Sequence, residues 1–196
     1  MKAATAPIIL IPHPHLRTVA RPVPTPTPNV QVFASKLGET LRQTKNPQGV
    51  GLAAPQIDQD WRLFATQFEK KIELYFNPVI AKRSAELSFG ESEEDPDLEG
   101  CLSIPKLYGP VPRWSWVELE FDRPQGEKFV RERRHFTDFS ARVVQHELDH
   151  LDGTLFIDYS FKMDLPVYSA DSRSDRMIEV PRSIFETLYQ STVIKQ

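Results

Sequence analysis

The stretch QHELDH at residues 145–150 is the most informative feature of the chain, because it predicts a helix that binds a metal ion. On a helix, residues four apart share a face, so His146 and His150 can bind one metal ion. Glu147 then lies beside that ion, where its carboxylate can move protons to and from a bound water. These residue types at this spacing are typical of enzymes that hydrolyse amide bonds with a metal ion.

The residues around this stretch favour a buried helix. Apolar side chains recur close to helical spacing at Phe139, Val143, Leu148 and Leu151, and Gly153 follows as a stop signal. A helix that is apolar on several sides is buried. Buried histidines need partners, and a metal ion is one such partner. The alternative interpretation is a surface helix with two solvated histidines.

Cys101 is the single cysteine of the chain, which excludes an internal disulfide. A lone cysteine is more often a small buried apolar residue than a functional one. Here it lies in EGCLS, residues 99–103, in a chain that already has a two-histidine motif, so it is a candidate third ligand. A thiolate and two imidazoles leave a fourth position for water, which distinguishes a catalytic site from a structural one.

The size and composition are those of one globular domain. With 196 residues, 40% of them hydrophobic, the chain can form a sizeable core. A net charge of −3 gives no sign of a nucleic-acid-binding surface, so no DNA partner is expected. No apolar stretch approaches the roughly 20 residues of a transmembrane helix. Prolines interrupt the apolar run in residues 1–12, which leaves it too short for a signal peptide. We therefore expect a cytoplasmic protein with no membrane partner.

The N-terminal third combines a proline-rich segment with a helix. Residues 12–28 predict either an extended arm that packs on the body or a loose spacer. A helix is expected from Asn29 to Asn46-Pro47. Its apolar stripe comprises Val30, Phe33, Leu37 and Leu41.

Short strands dominate the middle of the chain. Residues 62–68 and 72–76 predict two strands, and residues 117–121 and 127–136 predict a hairpin about a turn at residues 124–126. The acidic segment 91–99 predicts a solvated loop, with binding of a partner or a cation as the less favoured alternative.

One more helix is expected at the end of the chain. It begins at Pro181, and Ile184, Phe185 and Leu188 form its apolar face. Strands that follow one another without alternating helices predict an α+β fold with antiparallel sheets rather than a doubly wound parallel sheet.

Three segments together resemble the three motifs of the peptide deformylase family, in the family's order. They are GVGLAAPQ at 49–56, EGCLS at 99–103 and QHELDH at 145–150. The resemblance covers about residues 8–160 of a single 1–196 domain and leaves 161–196 as a tail with a C-terminal helix. It implies antiparallel β-sheets surrounding a central helix that carries the His-Glu-x-x-His motif.

The resemblance also implies the roles of the metal-binding and catalytic residues. Cys101, His146 and His150 would hold one divalent metal ion, with Fe2+ as the working ion and Zn2+, Ni2+ or Co2+ as alternatives. Glu147 would be the general acid and base. The amide of Gln56 and the backbone N–H of Leu102 would stabilise the oxyanion.

The implied substrates are nascent chains that begin with formylmethionine, from which formate is released. Val50, Phe139 and Val143, with the ring face of His146, would form the wall of a methionine pocket. The small-residue segment that includes Gly51, together with Gly100, would pair with the substrate backbone as an added strand.

Several alternatives stay open on the sequence alone. The motif also occurs in metallopeptidases, so a metal-dependent hydrolase of another amide is the alternative function, and a degenerate paralogue that only binds its ligand is the third. A monomer is expected. Acidic and basic residues nearly cancel in residues 168–196, so docking on the ribosome has weak support.

Two positions depart from the family's pattern, because Asp58 and Asp138 stand where glycine is common. Asp138 is interpreted as a cap of the metal-binding helix, since aspartate is a good N-cap residue.

Overall fold

The structure is a computed structural model that describes residues 4–92, 95–170 and 176–193. Its helices are α1 (Pro28–Gln43), α2 (Asp138–Leu151), α3 (Phe156–Lys162) and α4 (Arg182–Thr192), with short 3-10 helices at Pro14–Arg17 and Ala54–Ile57. Its strands are β1 (Gly51–Ala53), β2 (Leu63–Phe68), β3 (Lys71–Arg83), β4 (Leu87–Ser88), β5 (Leu98–Cys101), β6 (Ile104–Pro110), β7 (Arg113–Trp114), β8 (Trp116–Gln125), β9 (Lys128–Thr137), β10 (Tyr168–Ala170) and β11 (Met177–Glu179).

These strands form antiparallel sheets around α2. One sheet has the order β1-β2-β3-β8-β9, a second has the order β11-β10-β6-β5, and β4 pairs with β7. Helix α2 packs against β1, β2 and β9 of the first sheet and against β7. The predicted α+β architecture with antiparallel sheets is therefore confirmed.

Helix α2 is buried as its apolar pattern predicts. Val144, Leu148 and Leu151 pack in one core cluster with Phe64 and Tyr75 of the first sheet. Because the buried residues of α2 also include Val143, Glu147 and His150 on its other faces, the histidines of the helix lie in the interior rather than in solvent.

The start of α2 differs from the prediction. Thr137 is the N-cap, and it exchanges hydrogen bonds with Ser140, whose hydroxyl accepts from the Thr137 N–H at 3.2 Å and donates to its carbonyl at 2.8 Å. Asp138 is the first helical residue and has φ +50°, so its interpretation as the cap is wrong. Asp58 has φ +63°, so both aspartates occupy left-handed backbone positions that glycine adopts without steric cost.

The predicted helices and strands form with some changes of length and face. Helix α1 ends at Gln43 rather than at Asn46, and β3 continues to Arg83, beyond the predicted residue 76. The predicted hairpin forms as β8 and β9. The predicted face of the last helix is wrong at Ile184, which is 58% exposed. Its buried face instead includes Tyr189, because the Phe161 ring stacks on it at 4.1 Å.

The proline-rich segment packs on the body of the protein. Leu16, Ala20 and Val23 are buried. The N–H of Ala20 donates to the carbonyl of Leu151, the last residue of α2, at 2.8 Å. The extended-arm interpretation is therefore confirmed over the loose spacer, and this arm closes one side of the core.

The acidic segment and the tail include residues outside the described ranges. Residues 93–94 of the acidic segment lie there, as do Asp171, Arg173, Asp175 and Lys195 of the tail. The end of the acidic segment is not a solvated loop, because Glu99 is buried in β5. Among the described residues, no helix has the length and apolarity to cross a membrane.

Replacing Asp58 by glycine should stabilise the protein. A left-handed conformation costs an L-residue about 1–2 kcal/mol, and glycine's extra chain entropy offsets about 0.5–1 kcal/mol of that gain. We expect Asp58→Gly to raise the free energy of unfolding by less than about 1 kcal/mol in urea titrations, and Asp58→Ala to lower it. A glycine variant less stable than the wild type would contradict this account.

Glu73 should make stability depend on pH in the acid range. Burial raises the pKa of Glu73, but hydrogen bonds from Lys71, Arg134 and Tyr75 outweigh that effect and lower the pKa from 4.5 to about 2. A lowered folded-state pKa contributes stability above the unfolded pKa and loses it as the pH falls through the folded pKa.

The stability difference between the wild type and Glu73→Gln should therefore be full at neutral pH and shrink as the pH falls from about 4.5 toward 2. Urea unfolding followed by tryptophan fluorescence at several pH values measures it. Glu127→Gln, in the exposed β8–β9 turn, is the control. A difference that is independent of pH would contradict the role of the charge.

Candidate metal centre

Three predicted ligands converge at one point between β5 and α2. The ligand atoms of Cys101, His146 and His150 all lie within 4.8 Å of one another. Cys101 Sγ is 3.2 Å from His150 Nε2, and the two imidazole rings stand edge to face with centroids 4.9 Å apart. A tetrahedral metal site with one sulfur and two nitrogen ligands has ligand separations of roughly 3.3–3.6 Å, so this donor set fits a divalent metal ion.

Glu99 orients the first of the two histidines. Its Oε2 lies 2.9 Å from His146 Nδ1, which leaves Nε2 of that ring to face Cys101. Burial alone would lower the pKa of His146, but Cys101 and Glu99 raise it well above its usual value. Burial, His146 and Arg113 instead hold the pKa of His150 well below its usual value. The surrounding charges therefore shift the pKa values of the two imidazoles in opposite directions.

A buried ion-pair network of Arg113, Arg142 and Asp149 holds Glu99 in place. Arg113 donates to both carboxylate oxygens of Glu99, at 2.9 and 2.8 Å, and to Asp149 Oδ2 at 2.6 Å. Arg142 Nη1 adds a third donor to Glu99 at 3.0 Å. Burial opposes the charge of Glu99, but these cations hold the pKa of its carboxyl far below its usual value, so Glu99 remains an anion next to His146.

Glu147 is a second buried carboxylate that lines the cavity. Its side chain has one oxygen, Oε2, that is sealed from solvent and has no hydrogen-bond partner among the described residues. It packs so closely on Gly51 that a Cβ atom there would lie 2.2 Å from Oε1. Burial raises the pKa of Glu147 to about 7. A carboxyl group with this pKa can both accept and donate a proton at neutral pH.

The amide of Gln56 has a fixed orientation. Its Oε1 accepts from the N–H of Ala53 at 2.8 Å, so its Nε2 faces Ser103 Oγ at 3.1 Å and Cys101 Sγ at 3.6 Å. The 3-10 helix Ala54–Ile57 holds Gln56 almost completely buried. The amide N–H group is thus presented beside the Cys101 sulfur.

The predicted substrate-binding residues line one cavity of about 510 Å³. Phe139 is 59% exposed and stands at its mouth, so it contributes an edge rather than a buried wall. The sequence-predicted residues that line the cavity are Val50, Gly51, Gln56, Gly100, Cys101, Leu102, Phe139, Val143, His146 and Glu147. His150 is not one of the lining residues, because it lies buried beneath them.

Two residues of this site were not recognised from the sequence. Glu99 belongs to the EGCLS motif, but its place at the end of an acidic run concealed its burial. Arg142 lies one residue before Val143 in α2 and also lines the cavity. The spacing of three residues from Phe139 was a usable signal for Arg142, since residues three apart share a helix face.

Comparison with known proteins agrees with this geometry. The model of the family described as polypeptide deformylase matches residues 5–165. The peptide deformylase of Acinetobacter baumannii (strain SDF) is 36% identical over 159 residues, which are 80% of this chain and 83% of that protein. The peptide deformylase of Borreliella burgdorferi is 35% identical over 154 residues, which are 78% of this chain and 86% of that protein.

Solved structures give the same result. A class I type b peptide deformylase from Acinetobacter baumannii superposes with a TM-score of 0.68 and 29% identity, covering 79% of this chain and 99% of that chain. The peptide deformylase from Thermus thermophilus superposes with a TM-score of 0.67 and 31% identity, covering 95% of this chain and 92% of that chain. The chain belongs to the polypeptide deformylase family.

Proposed function

We propose that Cys101, His146 and His150 hold one divalent metal ion and that Glu147 moves protons while a formyl group is hydrolysed. The observation that carries this proposal is the convergence of a thiolate, two imidazoles and a buried carboxylate at one cavity. Members of the family remove the formyl group from the N-terminal formylmethionine of new polypeptides, and this chain is a metal-dependent hydrolase of that kind.

The metal ion, when bound, supplies a Lewis acid that lowers the pKa of water at the site. Fe2+ is the ion we propose, and the same ligands also accept Zn2+, Ni2+ and Co2+. Metal analysis of protein purified without oxygen, alongside formate release from a formyl-Met tripeptide, identifies the ion that supports turnover.

Glu147 carries the protons of the reaction. Its carboxylate accepts a proton from the water that attacks the formyl carbon and then donates it to the leaving amine. The position of Glu147 in the lining of the cavity and its pKa, which burial raises to about 7, support this role, because an efficient general base has a pKa near the operating pH. The close approach of Gly51 fixes the position of the carboxylate.

Gln56 and Leu102 act on the developing oxyanion. The contact of Gln56 with the Ala53 N–H orients its amide so that Nε2 can donate to that oxygen. The backbone N–H of Leu102, next to the proposed ligand Cys101, is the second donor. One such donor contributes about 3 kcal/mol to lowering the barrier.

Substrate binds as an extended strand between two sheet edges. Strands β1 and β5 are each at the edge of their sheet, and Gly51 and Gly100 on them line the cavity. Main-chain pairing of this kind reads few side chains, which suits many different nascent chains. A related structure, 28% identical with a TM-score of 0.69, is the peptide deformylase from Acinetobacter baumannii with Met-Ala-Ser bound.

The other functions receive less support. The family match does not favour a general metallopeptidase, and comparing turnover of formylated and unformylated Met-peptides tests it directly. A degenerate binding paralogue would have lost a ligand or the base, and both are present.

The described tail pairs Arg182 with Asp164 and Glu186, which leaves little charge for ribosomal RNA. The monomeric state stays a prediction.

Glu147→Gln should lower kcat by about 10²- to 10⁴-fold, because the amide keeps the packing on Gly51 but cannot accept the proton. Metal content and melting temperature should stay near those of the wild type. Initial rates of formate release at saturating substrate measure kcat. Near-normal turnover by the fully metallated variant would reject the role of Glu147.

Glu99→Gln should weaken metal binding by about 10- to 100-fold, the usual effect of losing the group that orients a histidine ligand. The rate of metal loss to a chelator measures this change. Glu120→Gln, which removes a surface partner of Arg133 far from the site, is the matched control. Equal rates of metal loss in the wild type and Glu99→Gln would show that Glu99 does not support the ligand.

A further inference from the structure

The cavity wall carries a positive charge that a pocket for a thioether side chain does not require. Phe139, Arg142, Val143 and His146 follow one another on one face of α2, and all four line the cavity. The side chain of Arg142 is only 9% exposed, so its guanidinium is held inside the protein rather than in solvent.

The neighbours of Arg142 use only part of its hydrogen-bonding capacity. Nη1 donates to Glu99 Oε1 at 3.0 Å and to the carbonyl of Val111 at 2.8 Å, and Nε lies 3.5 Å from Asp97 Oδ2. Within the part of the chain that the structure describes, Nη2 donates no hydrogen bond. Nη2 is also not sealed from solvent. It is therefore an unused donor on a side chain that lines the cavity.

We infer that Arg142 is a specificity-determining residue that admits formyl-peptides whose first side chain carries a neutral hydrogen-bond acceptor, and that N-formylmethionine sulfoxide is such a substrate. This inference rests on the proposed function and extends it to a second substrate class. A sulfoxide oxygen buried in a purely apolar pocket would lose its hydrogen bonds to water without replacement. The Nη2 group supplies a charged donor that replaces them.

The charges around Arg142 favour a neutral acceptor over an anionic one. Arg142 lies 3.0 Å from a carboxylate oxygen of Glu99 and 3.5 Å from one of Asp97, and Glu99 and Glu147 line the same cavity. Their carboxyl groups repel a glutamate or aspartate side chain and already balance much of the guanidinium charge. A guanidinium is weakly hydrated and planar, so it also packs against the thioether of unmodified methionine. Both forms of methionine are therefore accommodated in one pocket.

The test compares three tripeptides that differ in the first side chain. They are formyl-Met-Ala-Ser, the same peptide with methionine sulfoxide, and the same peptide with norleucine, which has no acceptor. We expect the wild-type kcat/KM for the sulfoxide to lie within about tenfold of that for methionine, and norleucine to match methionine. The ratio of two kcat/KM values does not depend on the fraction of active protein.

Arg142→Leu should lower the sulfoxide-to-methionine ratio by at least about tenfold, as expected for loss of a charged hydrogen bond, with the norleucine ratio unchanged. Arg142→Lys, which keeps a donor, should retain part of the wild-type ratio. Arg123→Leu makes the same chemical change on β8, away from the cavity, and should leave every ratio as it is.

A wild-type rate on the sulfoxide below about one tenth of the rate on methionine, or a ratio unchanged in Arg142→Leu, would overturn the inference. No turnover of formyl-Met-Ala-Ser at all would contradict the proposed function instead. Calorimetric affinities of the unformylated Met and Met-sulfoxide peptides for the wild type and Arg142→Leu then decide the role of Arg142 separately. Equal affinity ratios in the two proteins would reject it.

Discussion

The ion pair between Glu99 and Arg113 is the interaction on which the metal centre depends. Glu99 lies two residues before Cys101 on β5, and Arg113 on β7 reaches from Glu99 to Asp149 on α2. One charged cluster thus joins the strand that carries the thiolate to the helix that carries both histidines. A buried ion pair adds little net stability compared with well-packed apolar residues, but removing one partner is costly. The ion pair instead fixes the position of Glu99, and Glu99 in turn orients the His146 ring toward Cys101.

The parts of the fold that periodicity specifies were predictable from the sequence. Helix α2 and the β8–β9 hairpin follow from apolar residues that recur at helical or alternating spacing, and both form where expected. The positions that were not predictable depend on partners distant in the chain. Ile184 fits a helical stripe as well as Tyr189 does, and packing against the Phe161 ring and the rest of its core cluster decides which one is buried.

The candidate site divides in the same way. The convergence of Cys101, His146 and His150 was predictable because metal chemistry restricts which side chains can serve as ligands and how they are spaced. Glu99 was not recognisable, because an acidic residue in an acidic run resembles any solvated charge until Arg113 and His146 are seen around it. Asp58 and Asp138 show a related limit, since a left-handed backbone at aspartate leaves no periodic pattern in the sequence.

The two sheet edges at the cavity also have a consequence for the stage at which a new chain can be processed. Strands β1 and β5 are each at the edge of their sheet, and Gly51 and Gly100 on these edges line the cavity, so an extended chain that binds there as an added strand would also cover edges that could otherwise pair with another sheet. Binding in the proposed added-strand mode requires an extended chain, so an N-terminus that is already part of a helix or a folded domain would not fit. On that proposal, the formyl group has to be removed before the N-terminal segment folds, so the folding rate of each new chain would limit the time available for processing.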